Sequence, residues 1–335
     1  MMMHGASGMR AVEWIRIALA AALCALSAPV VFADAVRFPS RAITLVVGFA
    51  PGGGIDANAR LLAAELGRHF GQSVIVENRP GAGSRIANDY VARAAPDGHT
   101  LLIAPAAVTI DMAFGKRQDA QFLRDLAPVS TLSTAPMVLV VNPAVAADNV
   151  RELIALARAR PGVLNYASSG PGTTPHLYGE LFKLRTGVQI VHIPFKGTAP
   201  AISAVMAGEV QMTFAPMAAA LPQLRAGRLR ALATTGSARS KLLPDVPTIA
   251  QATGLRGIDA SVWYGVFAPA ATPPDVIETL ARAVASIAAT PAFERQLLAL
   301  GLEPEIESAA RFDALLRQEV ERWSGVIRDT GIRAE

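Results

Sequence analysis

Apolar positions along the chain switch repeatedly between two spacings. Short β-branched runs alternate with segments in which apolar residues return every three or four positions. The run Thr44 to Phe49 reads as a buried parallel strand. Pro51-Gly52-Gly53-Gly54 ends it, and helical spacing follows through Ile55, Ala59, Leu62, Ala63 and Leu66. Ser73 to Glu77 predicts a second strand, Ile86 to Ala95 a helix and His99 to Ala104 a third strand. This βαβαβ order predicts an α/β fold, a mostly parallel sheet with helices on both faces.

Residues 111–135 are less periodic and read as a helix and a connection. The alternation then resumes. Strands are predicted at Met137–Val141, Leu164–Ala167, Gln189–Ile193, Val210–Phe214 and Leu229–Thr234, with helices between them. Val262 to Ala268 is another strand-like run, and helices near 273–288, 291–300 and 308–329 finish the chain. One strand and three helices make a poor domain alone, so this end is predicted to return to the first unit. The chain would then cross twice, near 134–137 and near 260–265. That gives two lobes, 36–135 with 265–335 and 136–264, joined by a hinge around a ligand cleft.

The first 33 residues change the picture. Arg10 and Arg16 precede the apolar stretch Ile17 to Val31, and small residues fit cleavage after Ala33 or Ala35. This predicts a cleavable signal peptide and a periplasmic protein. Met9 is an alternative start. The one cysteine, Cys24, lies in this leader, so the exported chain has no disulfide, thiol nucleophile or cysteine metal site. Losing Arg10, Arg16 and Glu13 lowers the net charge from +4 to +3. The cations are scattered among acids, which points away from nucleic acid and suits a small anion.

Three strand-to-helix loops share one chemistry: Ala50–Asp56, Ser168–His176 and Pro194–Thr198. Each is rich in small residues and opens a helix, whose first N–H groups lack partners and sit at the positive dipole end. In open α/β sheets, ligands bind at this end of the strands. Converging helix starts form a site for a carboxylate.

At these loops the chain resembles the extracytoplasmic receptors of tripartite tricarboxylate transporters, the Bug group. The similarity is carried by FPSRAITLVVGFAPGGGIDANAR (38–60), VIVENRPGAGS (74–84), SSGPGTTPHLYGELFK (168–183), HIPFKGTAPA (192–201) and SVWYGVFAPAATPPDVI (261–277). The resemblance implies a two-lobed periplasmic-binding-protein (Venus flytrap) fold. It also implies a non-catalytic receptor that delivers a small organic carboxylate to membrane permease subunits. It implies ligand contacts from Pro51, Gly52, Gly53, Gly54 and Asp56, from Ser168, Ser169, Gly170, Thr173, Thr174 and His176, and from Lys196, Gly197 and Thr198. A monomer is expected, with no cofactor and no metal. Ala215, Phe195 and the run Ala104-Pro105-Ala106-Ala107 replace more polar residues of the family pattern. They imply a more apolar cleft and a less polar ligand body.

Other readings use the same residues. Gly52-x-Gly54-x-x-Ala57 with Glu77 fits a dinucleotide fingerprint, and Ser168 or Ser169 with His176 offers an exported hydrolase. Asp56 equally serves as a brace for the first turn of its helix. Trp263 and Tyr264 fit either core or cleft wall.

Overall fold

The computed structural model describes residues 38–115, 121–258 and 261–333, so the leader lies outside the described residues. Residues 41–335 cluster as one unit. The first half runs β1 (Ile43–Val47), α1 (Gly54–Phe70), β2 (Val74–Asn78), α2 (Arg85–Ala92), β3 (Thr100–Pro105), α3 (Ala107–Ala113), α4 (Phe122–Asp125) and β4 (Leu126–Val141). It continues through α5 (Val150–Ala159), β5 (Asn165–Ser168), α6 (Thr174–Thr186), β6 (Val191–Pro194), α7 (Thr198–Ala207), β7 (Met212–Pro216), α8 (Met217–Arg225), β8 (Arg230–Thr234) and α9 (Ile249–Thr253). The end comprises β9 (Ser261–Pro269), α10 (Pro274–Ala288), α11 (Pro291–Ala299), β10 (Glu303–Pro304) and α12 (Ala309–Thr330).

The fold is α/β and two-lobed, with the strands in the order β2-β1-β3-β9-β4-β7-β5-β6. β2, β1 and β3 are parallel, as are β7, β5 and β6. Between these trios β4 and β9 run antiparallel to their neighbours. Residues 126–136 of β4 pair with β9, whereas 137–141 pair with β7 on one side and β8 on the other. The changeover falls at Pro136, which has no N–H to give to a ladder.

Strand β4 was not foreseen before Met137, because Ser130, Thr131, Ser133 and Pro136 weaken the apolar signal. The hydroxyls of Ser130, Thr131 and Ser133 are buried and partnered through tertiary contacts. Ser133 Oγ accepts from Asn58 Nδ2 at 2.7 Å, and Thr131 Oγ1 accepts from the Glu307 N–H at 2.7 Å. Burying a hydroxyl is tolerable only with such a partner.

Helix α12 packs against both halves. Phe312 meets Trp263 edge-on at 5.0 Å, in a core with Val46, Leu102 and Phe267. Three turns later Trp323 lies 5.6 Å from Tyr178, in the core that holds Tyr166, Phe182 and Phe214. Between them the buried Glu319 accepts from Trp263 Nε1 at 2.8 Å and from Thr109 Oγ1 at 3.1 Å. Burial pushes the Glu319 carboxyl above its ordinary pKa. The last turns of α12 therefore pack with the second core, although the sequence reading placed 265–335 wholly in the first lobe.

Phe312 fits because residue 265 has no side chain. A Cβ there would lie 2.2 Å from Phe312 Cζ. Gly265→Ala is therefore expected to lower stability by about 1–3 kcal/mol through overpacking, read as a lower urea midpoint at constant slope.

Candidate functional site

The loop after β1 is braced by one carboxylate. Asp56 Oδ2 accepts from the Gly52 N–H and from Arg60 Nε, both at 2.9 Å. Its Oδ1 accepts from Asn78 Nδ2 at 2.9 Å, and Asn78 Nδ2 also reaches the Phe49 carbonyl at 3.1 Å. The Arg60 hydrogen bond, aided by Gly52 and Asn78, outweighs burial and holds the Asp56 carboxyl down to about 2. Gly52 turns with φ +87°, where a side chain would be strained. In register, Val47 lies opposite Ile103, and Pro105 opposite Tyr264. The glycine loop thus leaves the same end of the sheet as Tyr264.

The second and third loops are joined by a buried polar knot. Ser168 ends β5 beside Pro194 of β6. The Ser168 Oγ lies 2.6 Å from His192 Nε2 and also accepts from the Gly170 N–H at 3.1 Å. The His192 ring stacks on His176, with centroids 3.8 Å apart and planes 8° from parallel. His176 Nδ1 accepts from the Gly172 N–H at 3.0 Å, so the ring is neutral there. Tyr166 lies under His192 and donates to Glu180 Oε1 at 2.6 Å, while Lys183 pairs with Glu180. Burial lowers the pKa of both histidines. His192, also repelled by His176, falls to about 4. Gly179 makes the arrangement possible, since a Cβ at that position would lie 2.1 Å from the Tyr166 ring.

Above this knot lies a cavity of about 250 Å³ lined by Ser169, Thr173, Thr174, Pro175, Thr198, Ala135, Met137, Pro216, Val262 and Tyr264. Thr174 and Thr198 are the first residues of α6 and α7, and neither helix has a side-chain cap or an acidic residue in its first turn. Helices α5, α9, α11 and α12, by contrast, are capped by Asn149, Thr248, Thr290 and Ser308. Thr173 Oγ1 is occupied, donating to the Gly170 carbonyl at 2.6 Å. That leaves the hydroxyls of Ser169, Thr174 and Thr198 for a guest. Two helix ends contribute about 0.3–1 kcal/mol each, whereas a micromolar complex needs about 8. The hydroxyls, amides and cleft walls must supply the rest.

Of the residues singled out in the sequence, Ser169, Thr173, Thr174 and Thr198 share this cavity. Ser168, Gly170 and His176 form the knot beneath it, and Gly197 supplies a positive-φ entry to α7. Lys196 is exposed beside that entry. Pro51, Gly52, Gly53, Gly54 and Asp56 do not line it; Asp56 takes the bracing role. The apolar substitutions also act elsewhere than expected. Ala215 and Ala104 are core residues and Phe195 packs on the core near Ile202. The apolar wall comes instead from Ala135, Met137, Pro216 and Val262. Trp263 is core, whereas Tyr264 faces the cavity. No motif in the sequence links His192 to the second loop. Only the parallel pairing of β5 with β6 brings it to Ser168.

Residues 58–332 match the family model described as tripartite tricarboxylate transporter family receptor. Protein BugT of Bordetella pertussis is 38% identical over 314 residues, covering 93% of this chain and 95% of that protein. A Rhodopseudomonas palustris protein solved with adipate is 36% identical, with a TM-score of 0.70 over 88% of this chain and 99% of that one. MatC from the same organism, solved with malate, is 32% identical, with a TM-score of 0.67 over 87% and 100%.

The histidine pair sets a pH dependence. A lowered pKa means that the unfolded chain takes up a proton before the native one does. Native stability is therefore undiminished above 6.5, falls as pH drops from 6.5 towards about 4, and then levels for this group. The stabilisation from Asp56 has the same sign but a lower window. It is present above 3.8 and lost as pH falls through about 2. Urea midpoints across pH 3–8 should show the upper loss, and His192→Gln should reduce it.

Proposed function

Because the chain belongs to the tripartite tricarboxylate transporter receptor family, we propose that it captures a small organic carboxylate in the cleft beside β4 and presents it to membrane permease subunits. The observation that carries this reading is the pair of uncapped helix starts at Thr174 and Thr198, which bring free hydroxyls and amides into one cavity. Carboxylates in the adipate and malate complexes of the relatives support the same ligand class. On this reading the leader is a signal peptide, the mature chain is a periplasmic monomer, and the lobes move about the β4 changeover at Pro136. Binding stabilises the closed form, which the permease recognises. Lys196, at the entry of α7, is placed to meet the incoming anion.

The loops serve binding rather than catalysis. Ser168 has no exposed surface and is held by His192 and Gly170, so its hydroxyl is not presented to a solute.

Native mass spectrometry of the chain taken from its periplasm is expected to release a bound organic acid. Carboxylates, but not their amides, are expected to raise the melting temperature. Stabilisation by amides equal to that by acids would defeat the proposal. Thr174→Val is expected to weaken binding about tenfold or more, because a carboxylate oxygen loses its buried donor. Its melting temperature without ligand should change little, since that hydroxyl has no partner among the described residues. Gly53→Val tests whether closure brings the first loop, which does not line the cavity in this arrangement, onto the ligand; weaker binding in the same titration is expected.

A further inference from the structure

Charge-binding groups are distributed unevenly around the cavity. Hydroxyls from Ser169, Thr174 and Thr198 and the starts of α6 and α7 lie on one side. The other side is Ala135, Met137, Pro216 and Val262, together with the half-buried Tyr264. Among the described residues, no lysine, arginine or histidine lines the cavity. The glycine loop of the first lobe also opens a helix, α1, but Asp56 already stands in its first turn. That carboxylate takes the Gly52 N–H and the Arg60 guanidinium for itself. A second ligand carboxylate on the apolar side would lie against Ala135, Met137, Pro216 and Val262, and among the described residues no cation lines the cavity to pair with it.

Resting on the receptor reading above, we infer that this site selects a monocarboxylate with an apolar body, and that Tyr264 reads the end of the ligand opposite the carboxylate. The carboxylate sits at Thr174 and Thr198, where two dipole ends carry no acid of their own. The body lies along Met137, Val262 and Pro216, whose burial rewards apolar surface. The phenol of Tyr264 has no hydrogen-bond partner among the described residues, so it is available to a neutral hydroxyl or carbonyl on the ligand. Burial raises the pKa of that phenol. The same low-polarity surroundings would penalise an unpaired carboxylate beside it.

The test compares acids that differ by one carboxylate on one skeleton, using calorimetric titration of the exported chain after its bound ligand is removed. Hexanoate against adipate and benzoate against terephthalate are suitable pairs. In at least one pair the monoacid is expected to bind about tenfold or more tightly than the diacid, the penalty for burying an unpaired charge. If in neither pair the monoacid binds more tightly, the inference is overturned while the carboxylate receptor stands. An absence of binding by all four, with no organic acid released from the native protein, removes the receptor reading and this inference with it. If the native protein releases another acid, its count of carboxylates decides, and two or more overturn the inference. Val262→Arg places a cation on the apolar wall and should shift the ratio towards adipate by about tenfold; a folded variant with an unshifted ratio overturns the placement of the apolar end. Tyr264→Phe should lower the affinity ratio of 4-hydroxybenzoate to benzoate, and an unaltered ratio removes Tyr264 as the reader.

Discussion

Everything in this protein is arranged about one long strand that belongs to two sheets. Up to Pro136 the backbone of β4 pairs with β9; from Met137 it pairs with β7 and β8. A strand in mid-sheet must satisfy both rows of its hydrogen-bonding groups, and a proline removes one donor at the changeover. The same strand loses a donor at Pro128 as well, where its register with β9 shifts. Ala135 and Met137, on either side of Pro136, both line the cavity. On the proposed reading, a ligand in this cavity would touch the residues whose pairing changes partner, so its binding energy would act on the arrangement of the two halves.

The polar side of the cavity gains its rigidity from below. Two neutral imidazoles stacked at 3.8 Å tie Ser168 and Gly172 to neighbouring elements, and Glu180 with Lys183 and Tyr166 closes the network. A fully partnered buried network specifies one arrangement, whereas a partly partnered one is costly. The loop amides are thus held in place before any ligand arrives, and preorganisation lowers the ordering cost of binding. Asp56 performs a comparable service for the glycine loop across the cleft, using a carboxylate where the second lobe uses histidines.

Helix α12 adds a second continuous element. Its first turns pack on Trp263 and its last on Tyr178, with Glu319 buried between. A receptor that must close on a guest needs soft points at defined places and stiffness elsewhere. Helix α12, packed on both cores, is stiff in this sense, and the hinge proposed at the β4 changeover would be the soft point.

The sequence by itself determined the α/β alternation, because period-2 and period-3.6 apolar spacing reflects strands and helices directly. It also offered three loops as candidates for an anion, because glycine, small hydroxyl residues and a following helix start are local features. Thr174 and Thr198, which share one cavity, were singled out for that reason. Tertiary structure decided which loops share a cavity and what each polar residue does there. Asp56 looks like a ligand contact until Arg60 and Asn78 are seen to hold it. His192 looks solitary until parallel pairing sets β6 against β5. The N-terminal part of β4 looks like a connection until Asn58 and Glu307 supply partners for its hydroxyls. Each of these roles depends on atoms brought together from distant positions, and no local spacing in one chain encodes that distance.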